Sequence, residues 1–254
     1  MASVINIPQV VRGRPNYNNE IFSKQSDISY NSECRNRIEF GRFNQKGEPL
    51  FYASLPTEKK TIDYVLSCAL ECCKELTFGN NNSQDITIGG WTINQPFPVL
   101  NLCFDTAHLH ENATLAKEMQ KYIDTIDECF SFEAAKFIKN FLYYFSELSG
   151  SAASSDYHYF STTALFHAIR YYYYDIVKEP KFGLIYPGAM SEKKGLNIVL
   201  TCDAVNRFLS LDKVVMYRYY LLSGTKTYIA APCSDIAYPK NGEFLIQNYR
   251  RAIY

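Results

Sequence analysis

Residues 41–54 read GRFNQKGEPLFYAS, and much of the fold can be worked out from this stretch. A glycine stands at each end of residues 41–47, so we expect a turn there. Residues 49–54 are apolar and aromatic and lie between a glycine and a proline, which is typical of a short buried strand. Residues 57–76 then place apolar side chains at three- and four-residue steps, and this spacing predicts a helix.

The remainder of the chain mixes helices and strands without regular alternation. Residues 1–36 contain RGRP, NYNN and NSE, which favour loops, so we expect this segment to be irregular. We predict strands over 85–93, 97–104, 183–186 and 196–201, with further strand material over 214–230. We predict helices over 112–126, 131–148 and 161–178. This order argues for an α+β fold and against a doubly wound parallel sheet.

The second of these helices is rich in aromatic residues. Ser131 stands where an N-cap is expected, and Glu133 follows in the first turn. An apolar stripe along the helix is formed by Phe137, Ile138, Phe141, Leu142, Phe145 and Leu148. Such a stripe predicts that this face of the helix is buried.

Composition excludes several classes of protein. The chain has 254 residues, 47% of them apolar and 20% charged, which is ordinary for a globular protein. Lysine plus arginine equals aspartate plus glutamate at 26 each, so nothing provides the positive field that direct nucleic-acid binding needs. No run of about 18 apolar residues is present, so we expect no membrane span. The N-terminal residues lack the pattern of a secretory signal.

The eight cysteines lie in apolar contexts, and without a secretory signal we expect free thiols in a cytoplasmic protein. Cys68, Cys72 and Cys73 stand close together, but no second cysteine pair or nearby histidine completes a tetrahedral set. We therefore predict no metal site.

Three residues in and after the opening stretch carry side chains suited to chemistry. Arg42 lies in the turn, and its guanidinium suits bidentate pairing with phosphate or carboxylate. Tyr52 lies on the strand and combines a ring that can stack with a hydroxyl. Glu71 lies among small and apolar residues of the helix, an environment that favours an altered pKa and a chemical role for a carboxylate. Spacing alone favours the simpler interpretation that Arg42 and Glu71 form a structural ion pair.

Five motifs occur in the order found in one protein family. They are Gly41-Arg42-Phe43-Asn44-Gln45-Lys46-Gly47, Leu50-Phe51-Tyr52-Ala53-Ser54, Ser67-Cys68-Ala69-Leu70-Glu71, Gly183-Leu184-Ile185-Tyr186-Pro187 and Asn197-Ile198-Val199-Leu200. In these motifs the chain resembles the RES family of NAD⁺-degrading toxins. The resemblance covers about residues 10–103 and 157–201. It indicates a single domain over 1–254, with a helical insertion at about 104–156 and a strand-rich extension at about 202–254.

The resemblance implies an ADP-ribosyltransferase-like fold, with a split mixed sheet, flanking helices and a helical insert. It implies that NAD⁺ is the substrate and that no separate cofactor is needed. Glu71 would stabilise the positive charge that develops on the ribose, and Tyr52 would stack against nicotinamide or ribose. Arg42 and Arg12 would hold the pyrophosphate. The remaining substrate contacts that it implies are Arg14, Asn44, Tyr186, Gly188 and Ser191.

The chain departs from the family pattern at two places. More residues separate Tyr52 from the glutamate-bearing helix, and an alternative alignment puts Val65 at the catalytic position. We prefer Glu71, because it keeps the family's spacing of small residues before the glutamate. Gly188 stands where the family usually has serine, and Ser191 follows three residues later.

The resemblance predicts a glycohydrolase or phosphorylase that drains NAD⁺ as a toxin or defence effector. Toxins of this family are commonly neutralised by a helix-turn-helix antitoxin that covers the cleft. The insertion over 104–156 is a candidate surface for a partner or for a homo-oligomer. Two alternatives stay open: a transferase that places ADP-ribose on a macromolecule, and a catalytically impaired member that binds a nucleotide or a partner.

Overall fold

The structure, a computed structural model, is built around one mixed β-sheet. It describes residues 2–5, 7–60, 63–73, 83–104, 109–110, 112–152, 156–178, 182–222 and 227–250. Within these ranges the strands are β1 (Ala2–Ile5), β2 (Gln9–Pro15), β3 (Phe51–Leu55), β4 (Ser83–Ile93), β5 (Phe97–Asn101), β6 (Gly183–Pro187), β7 (Leu196–Leu200), β8 (Leu209–Leu221) and β9 (Tyr228–Pro232). The α-helices are α1 (Gln25–Ile28), α2 (Tyr64–Cys72), α3 (Ala113–Cys129), α4 (Phe132–Ser149), α5 (Asp156–Tyr171) and α6 (Cys202–Phe208). The predicted α+β class is confirmed.

The sheet consists of two halves that share one registered residue pair. Its nine described strands run in the order β1-β5-β6-β7-β3-β2-β4-β8-β9, and only β5 and β6 pair in parallel. Strand β3 pairs with β7 over its whole length, and β2 does the same with β4. Between β2 and β3 the register holds a single pair, Val11 with Ser54. The five strands ending at β3 therefore separate from the four that begin at β2.

The prediction of an irregular N-terminal segment is wrong for β2, which lies in the middle of the sheet. The glycine and proline of RGRP are turn formers, but pairing with β4 over Gln9–Pro15 holds the segment extended. Gly13 also has a tertiary reason to be glycine. A Cβ there would lie 2.9 Å from the Sγ atom of Cys72, so the missing side chain lets α2 pack closely on β2.

Helix α2 begins later than its periodicity predicts, because Asp63 provides an N-cap. The Asp63 carboxylate accepts hydrogen bonds from the backbone N–H groups of Val65 and Leu66, at 2.8 and 3.1 Å. The helix then buries Cys68, Ala69 and Leu70 against β2 and β4. The C-terminal end predicted near residues 76–79 lies outside the described residues.

Helices α3, α4 and α5 cover the other half of the sheet. Their apolar side chains pack with Phe43, Leu100 and Tyr186 into a second cluster. The predicted stripe on α4 is too wide: Leu142 is buried, but Phe137 and Phe141 are 72% and 41% exposed. Ser131 occupies the N-cap position without a hydrogen bond from its side chain, so the predicted capping contact is absent.

The C-terminal region completes the sheet. Strand β8 pairs with β4 along its whole length, interrupted by one bulge at Gly90/Trp91. Helix α6, which precedes β8, is not among the elements that the sequence predicts. Among the described residues, no helix is long and apolar enough to cross a membrane. All eight cysteines are free thiols.

Candidate functional site

A cavity of about 290 Å³ lies where β2 and β3 separate. Side chains from both halves of the sheet, from α2, from α5 and from two loops reach its wall. The main polar and aromatic lining residues are Arg12, Arg42, Tyr52, Ser54, Glu71, Tyr159, Tyr186 and Asn197. Its volume is near the lower end of the usual range for ligand pockets, about 300–1,000 Å³, and suits a nucleoside-sized group.

The Arg12 side chain makes a hydrogen bond between β2 and β3 at the place where the two strands separate. Its Nη1 donates to the backbone carbonyl of Tyr52 at 2.8 Å, and its guanidinium lies 4.9 Å from the ring centre of Phe51. The Nε–H is buried and has no partner among the described residues. Burial lowers the pKa of Arg12 to about 10, so the group stays charged at neutral pH but poorly solvated. A desolvated cation with a free donor favours an anionic ligand.

Glu71 brings a carboxylate into the same cavity from the last turn of α2. Its Oε1 accepts a hydrogen bond from the backbone N–H of Met190 at 2.8 Å. Burial raises the pKa of Glu71, while that hydrogen bond and the positive charge of Arg42 act in the opposite direction. A carboxylate in such surroundings interacts strongly with positive charge that develops nearby, because little water screens it.

Val65, the residue that the alternative alignment puts at the catalytic position, lies outside the cavity. It packs against the apolar cluster beneath α2, together with Val11 and Ile88. Glu71 does line the cavity, together with Arg42 and Tyr52. No ion pair joins Arg42 and Glu71 among the described contacts, since Glu71 is bound by a backbone N–H and Arg42 by carbonyl groups.

Arg42 connects the cavity to the end of α4. Its Nη1 donates to the carbonyls of Ser149 and Ser151, at 2.6 and 2.8 Å. These carbonyls belong to the last turn of the helix and the residues after it, where a positive charge is favoured by the helix dipole. One face of the guanidinium group is therefore used structurally, and the residue still lines the cavity.

Tyr52 fixes the conformation of the turn over 41–47. Its hydroxyl accepts a hydrogen bond from the backbone N–H of Phe43 at 3.0 Å and donates to Oδ1 of Asn44 at 2.9 Å. The amide nitrogen of Asn44 donates in turn to the carbonyls of Glu39 and Gln45. Asn44 is thus buried inside the turn and does not line the cavity, whereas the ring of Tyr52 does.

The loop that follows β6 closes the cavity beside Glu71. A Cβ on Gly188 would lie 3.0 Å from Oε1 of Glu71 and closer still to Oγ of Ser191, so any side chain at this position would have to displace the Ser191 hydroxyl. The Ser191 hydroxyl donates to the carbonyl of Gly188 at 3.3 Å and accepts from the N–H of Gly195 at 2.9 Å. Ser191 therefore lies beside Gly188, in the space that a side chain at position 188 would enter, but neither of these two predicted substrate contacts is among the residues that line the cavity.

Two further predicted residues have clear positions. Tyr186 lies on β6 and lines the cavity, and burial holds its pKa well above the usual range. Arg14 does not line the cavity. It donates a short hydrogen bond to the carbonyl of Asp27, and its guanidinium lies 5.2 Å from the ring centre of Phe22, so its contacts are structural.

Sequence reasoning missed Asn197 as a site residue, although Asn197 begins one of the five motifs. Its Oδ1 accepts a hydrogen bond from Ser54 at 2.8 Å, and its buried Nδ2 makes no close hydrogen bond among the described residues, although the Asn197 side chain acts on Glu71 and lowers the pKa of that carboxyl. Both residues line the cavity. A signal was present, because each is a polar residue inside a strand that is otherwise apolar and buried.

Nucleophilic cysteine chemistry does not fit the site. The thiols of Cys68 and Cys72 line the cavity, but burial raises the pKa of Cys68 to about 12 and that of Cys72 well above its usual range. Both thiols are therefore protonated at neutral pH and are poor nucleophiles. Within the described part of the chain, no group of three or more histidine, cysteine or acidic side chains is placed to hold a metal ion.

The arrangement suits a ligand that has an anionic group and, separately, a centre that becomes positively charged. Arg12 offers an unused Nε–H donor to an anionic or oxygen-rich group. Glu71 offers a carboxylate to a centre that becomes positive. Comparison of the chain with protein-family models finds no match, and comparison with curated proteins finds none either.

Proposed function

We propose that this protein degrades NAD⁺ by cleaving the bond between nicotinamide and ribose, as a glycohydrolase or phosphorylase. One observation carries the proposal: Glu71, Arg12, Arg42 and Tyr52, from four separate segments, line one cavity at the gap in the sheet. These are the residues to which the resemblance to the RES family gives the central roles. The resemblance rests on the order of motifs along the chain. The proximity of these four residues in three dimensions is therefore a separate observation.

The architecture supports the finer part of the proposal, an ADP-ribosyltransferase-like fold with a split mixed sheet. The single registered pair between β2 and β3 divides the sheet into two halves. Helix α2 packs on β2 and β4, while α3, α4 and α5 pack on the other half. The cavity lies at the division, where a ligand can contact the edges of both halves.

The chemistry follows from the charges at the site. When the C1′–N bond breaks, nicotinamide leaves with the bonding electron pair and the ribose carbon becomes oxocarbenium-like. The carboxylate of Glu71 stabilises that charge, as carboxylates do in glycoside hydrolysis. Water, or phosphate, then forms a bond to C1′, and water releases one proton when it does so. The glycosidic bond is the only bond that breaks in the dinucleotide.

The cationic side of the cavity orients the substrate. Arg12 has a desolvated guanidinium with a free Nε–H, which suits a pyrophosphate oxygen. Arg42 adds positive charge while its Nη1 remains on the α4 carbonyls. The rings of Tyr52 and Tyr159 are aromatic surfaces of the cavity for a flat base. A cavity of this volume holds the nicotinamide riboside part and leaves the adenosine part outside.

In the cell, the proposal places the protein in the cytoplasm as a toxin or defence effector, with a helix-turn-helix antitoxin as its neutralising partner. The proposal does not depend on a hydroxyl at position 188, because neither Gly188 nor Ser191 is among the residues that line the cavity. The Ser191 hydroxyl is instead bound within the loop, to the carbonyl of Gly188 and the backbone N–H of Gly195.

The test is turnover of NAD⁺ by the purified protein, with and without phosphate, resolving nicotinamide, ADP-ribose and phosphorylated ADP-ribose. Release of nicotinamide supports the proposal, and the phosphate comparison identifies the acceptor. Label transferred from NAD⁺ to a macromolecule would instead favour a transferase. Binding of NAD⁺ by folded protein without any release of nicotinamide would overturn the enzymatic proposal and favour a binding role.

A further inference from the structure

Helix α4 exposes a row of aromatic rings. Phe137, Phe141 and Tyr144 follow one another at four- and three-residue steps and therefore share one face of the helix. They are 72%, 41% and 57% exposed, whereas Leu142 and Ser146 on the opposite face are buried. We call these three residues the aromatic row. Large rings in a row on a surface mark an interaction site more often than isolated ones do.

Two opposite charges flank the aromatic row. Lys136 and Glu147 are exposed, and neither has an ion-pair partner within the described part of the chain. They lie about three helical turns apart, so both project from the same side of the helix. Lys136 stands at one end of the row and Glu147 at the other.

We propose that α4 is a dimerisation helix that packs antiparallel against α4 of a second copy of this chain. If a two-fold axis passes beside Phe141, that ring meets its own copy. Phe137 of one chain then lies opposite Tyr144 of the other, because the two residues are nearly equidistant from Phe141. The Phe137–Tyr144 pair occurs twice and the Phe141–Phe141 pair once, as a two-fold interface requires.

The charges fit the same arrangement. Lys136 of one copy falls opposite Glu147 of the other, since these residues are also nearly equidistant from Phe141. Lys136 and Glu147 lie on the same flank of the helix. A two-fold axis perpendicular to the two helices places this flank of both copies on the same side of the interface, so the opposite charges can meet. The face is therefore complementary to itself in shape and in charge, which favours a second copy over an unrelated partner.

The size of the face indicates a reversible dimer. By the usual area of aromatic side chains, the aromatic row and its flanking residues offer about 500 Å² per copy, or about 1,000 Å² in total. Specific interfaces begin at about that total, so we expect association that depends on concentration in the micromolar range.

The test is sedimentation of the full-length chain over a range of micromolar concentrations. The wild type should form a dimer, and Phe137→Asp should be monomeric. Lys136→Glu alone and Glu147→Lys alone should each weaken the dimer about tenfold, because each change opposes like charges at two symmetric places. The double variant Lys136→Glu/Glu147→Lys should restore the affinity.

Controls separate this result from a loss of folding or of general surface hydrophobicity. Tyr238→Asp removes another ring, 69% exposed, in the C-terminal segment and should leave the dimer unchanged. Circular dichroism spectra at a temperature well below melting should be alike for all variants, since the substituted side chains are exposed. A wild type that stays monomeric over the whole concentration range would overturn the proposal. The aromatic row would then be a candidate surface for a different partner. The proposal would also be overturned if Phe137→Asp dimerised as strongly as the wild type. It would be overturned as well if the double variant did not regain the wild-type dimer affinity.

Discussion

Replacing Glu71 by glutamine tests the proposed chemistry with little change in shape. The amide oxygen of the new side chain can still accept the hydrogen bond that Met190 N–H gives to Oε1 of Glu71 at 2.8 Å. The loop beside Gly188 should therefore keep its conformation. What disappears is the negative charge inside the cavity and one of the two oxygens that accept from Met190, Ala189 and Asn197.

The expected loss of rate follows from that charge. Two unit charges about 4 Å apart interact by about 4 kcal/mol at an effective dielectric constant of about 20. Each 1.36 kcal/mol of transition-state stabilisation is worth about tenfold in rate, so Glu71→Gln should lower kcat by about 10³-fold. KM should change much less, because the ground-state ribose carries less positive charge at C1′ than the transition state does.

The Glu71→Gln variant should lose turnover but should not lose stability at neutral pH. Burial raises the pKa of Glu71 in the folded protein, so its protonated form favours folding and its ionised form opposes it. The contribution to stability is present at acid pH and is lost as pH rises through the folded pKa. Glutamine is neutral at every pH, so at neutral pH the variant should melt at the wild-type temperature or above it.

The assay is nicotinamide release measured by chromatography, beside thermal unfolding of the same samples. Glu133→Gln is the matched control, because Glu133 is exposed in the first turn of α4 and far along the chain from the cavity residues. It should retain full turnover. A folded Glu71→Gln protein that kept turnover within about threefold of the wild type would refute the assigned role of this carboxylate.

Further predictions address the other side chains of the cavity and its surroundings. Pyrophosphate or ADP-ribose should raise the melting temperature of the wild type, with about 2.7 kcal/mol of stabilisation at a hundredfold excess over Kd. Arg12→Met lacks the buried cation, so the same ligands should not change its melting temperature. A shift that persisted in Arg12→Met would exclude Arg12 from the anion site. Tyr52→Phe should cost about 1–3 kcal/mol in urea unfolding, because the hydroxyl holds Phe43 N–H and Asn44 in the turn; unchanged stability would contradict that role. Val65→Ala should cost about 1–2 kcal/mol and leave turnover unaltered, since Val65 packs under α2; a large loss of turnover would revive the alternative alignment. The wild-type rate should fall as pH is lowered through the raised pKa of Glu71, with a midpoint above that of an ordinary glutamate, and a flat pH–rate profile would show that its ionisation is not needed.

Local patterns predicted several elements well, because they record which side of a segment is buried. The short apolar runs before Pro56 and around Tyr186 and Asn197 are strands β3, β6 and β7. The three- and four-residue spacing predicted α2, α3, α4 and α5 with shifted ends. Their boundaries depend on individual caps such as Asp63, which periodicity does not register.

The predictions that went wrong share one cause. Gln9–Pro15 has the composition of a loop but is held extended by β4, a strand that lies far away along the chain. Phe137 and Phe141 have the periodicity of a core face, but the helix turns them to solvent. In both cases the deciding contacts are non-local, and a single segment carries no record of them.

The candidate site divides in the same way. Sequence patterns were sufficient for the α+β class, for the residue types suited to chemistry and, through the order of the motifs, for the expectation that Glu71, Arg42, Tyr52 and Arg12 act together. The three-dimensional arrangement was needed to show that these four line one cavity with Asn197, and that Arg14 and Asn44 have structural contacts instead. Side chains from distant segments meet through strand pairing, and here the pairing fails at one edge, between β2 and β3. That failure creates the cavity, and no local pattern encodes it.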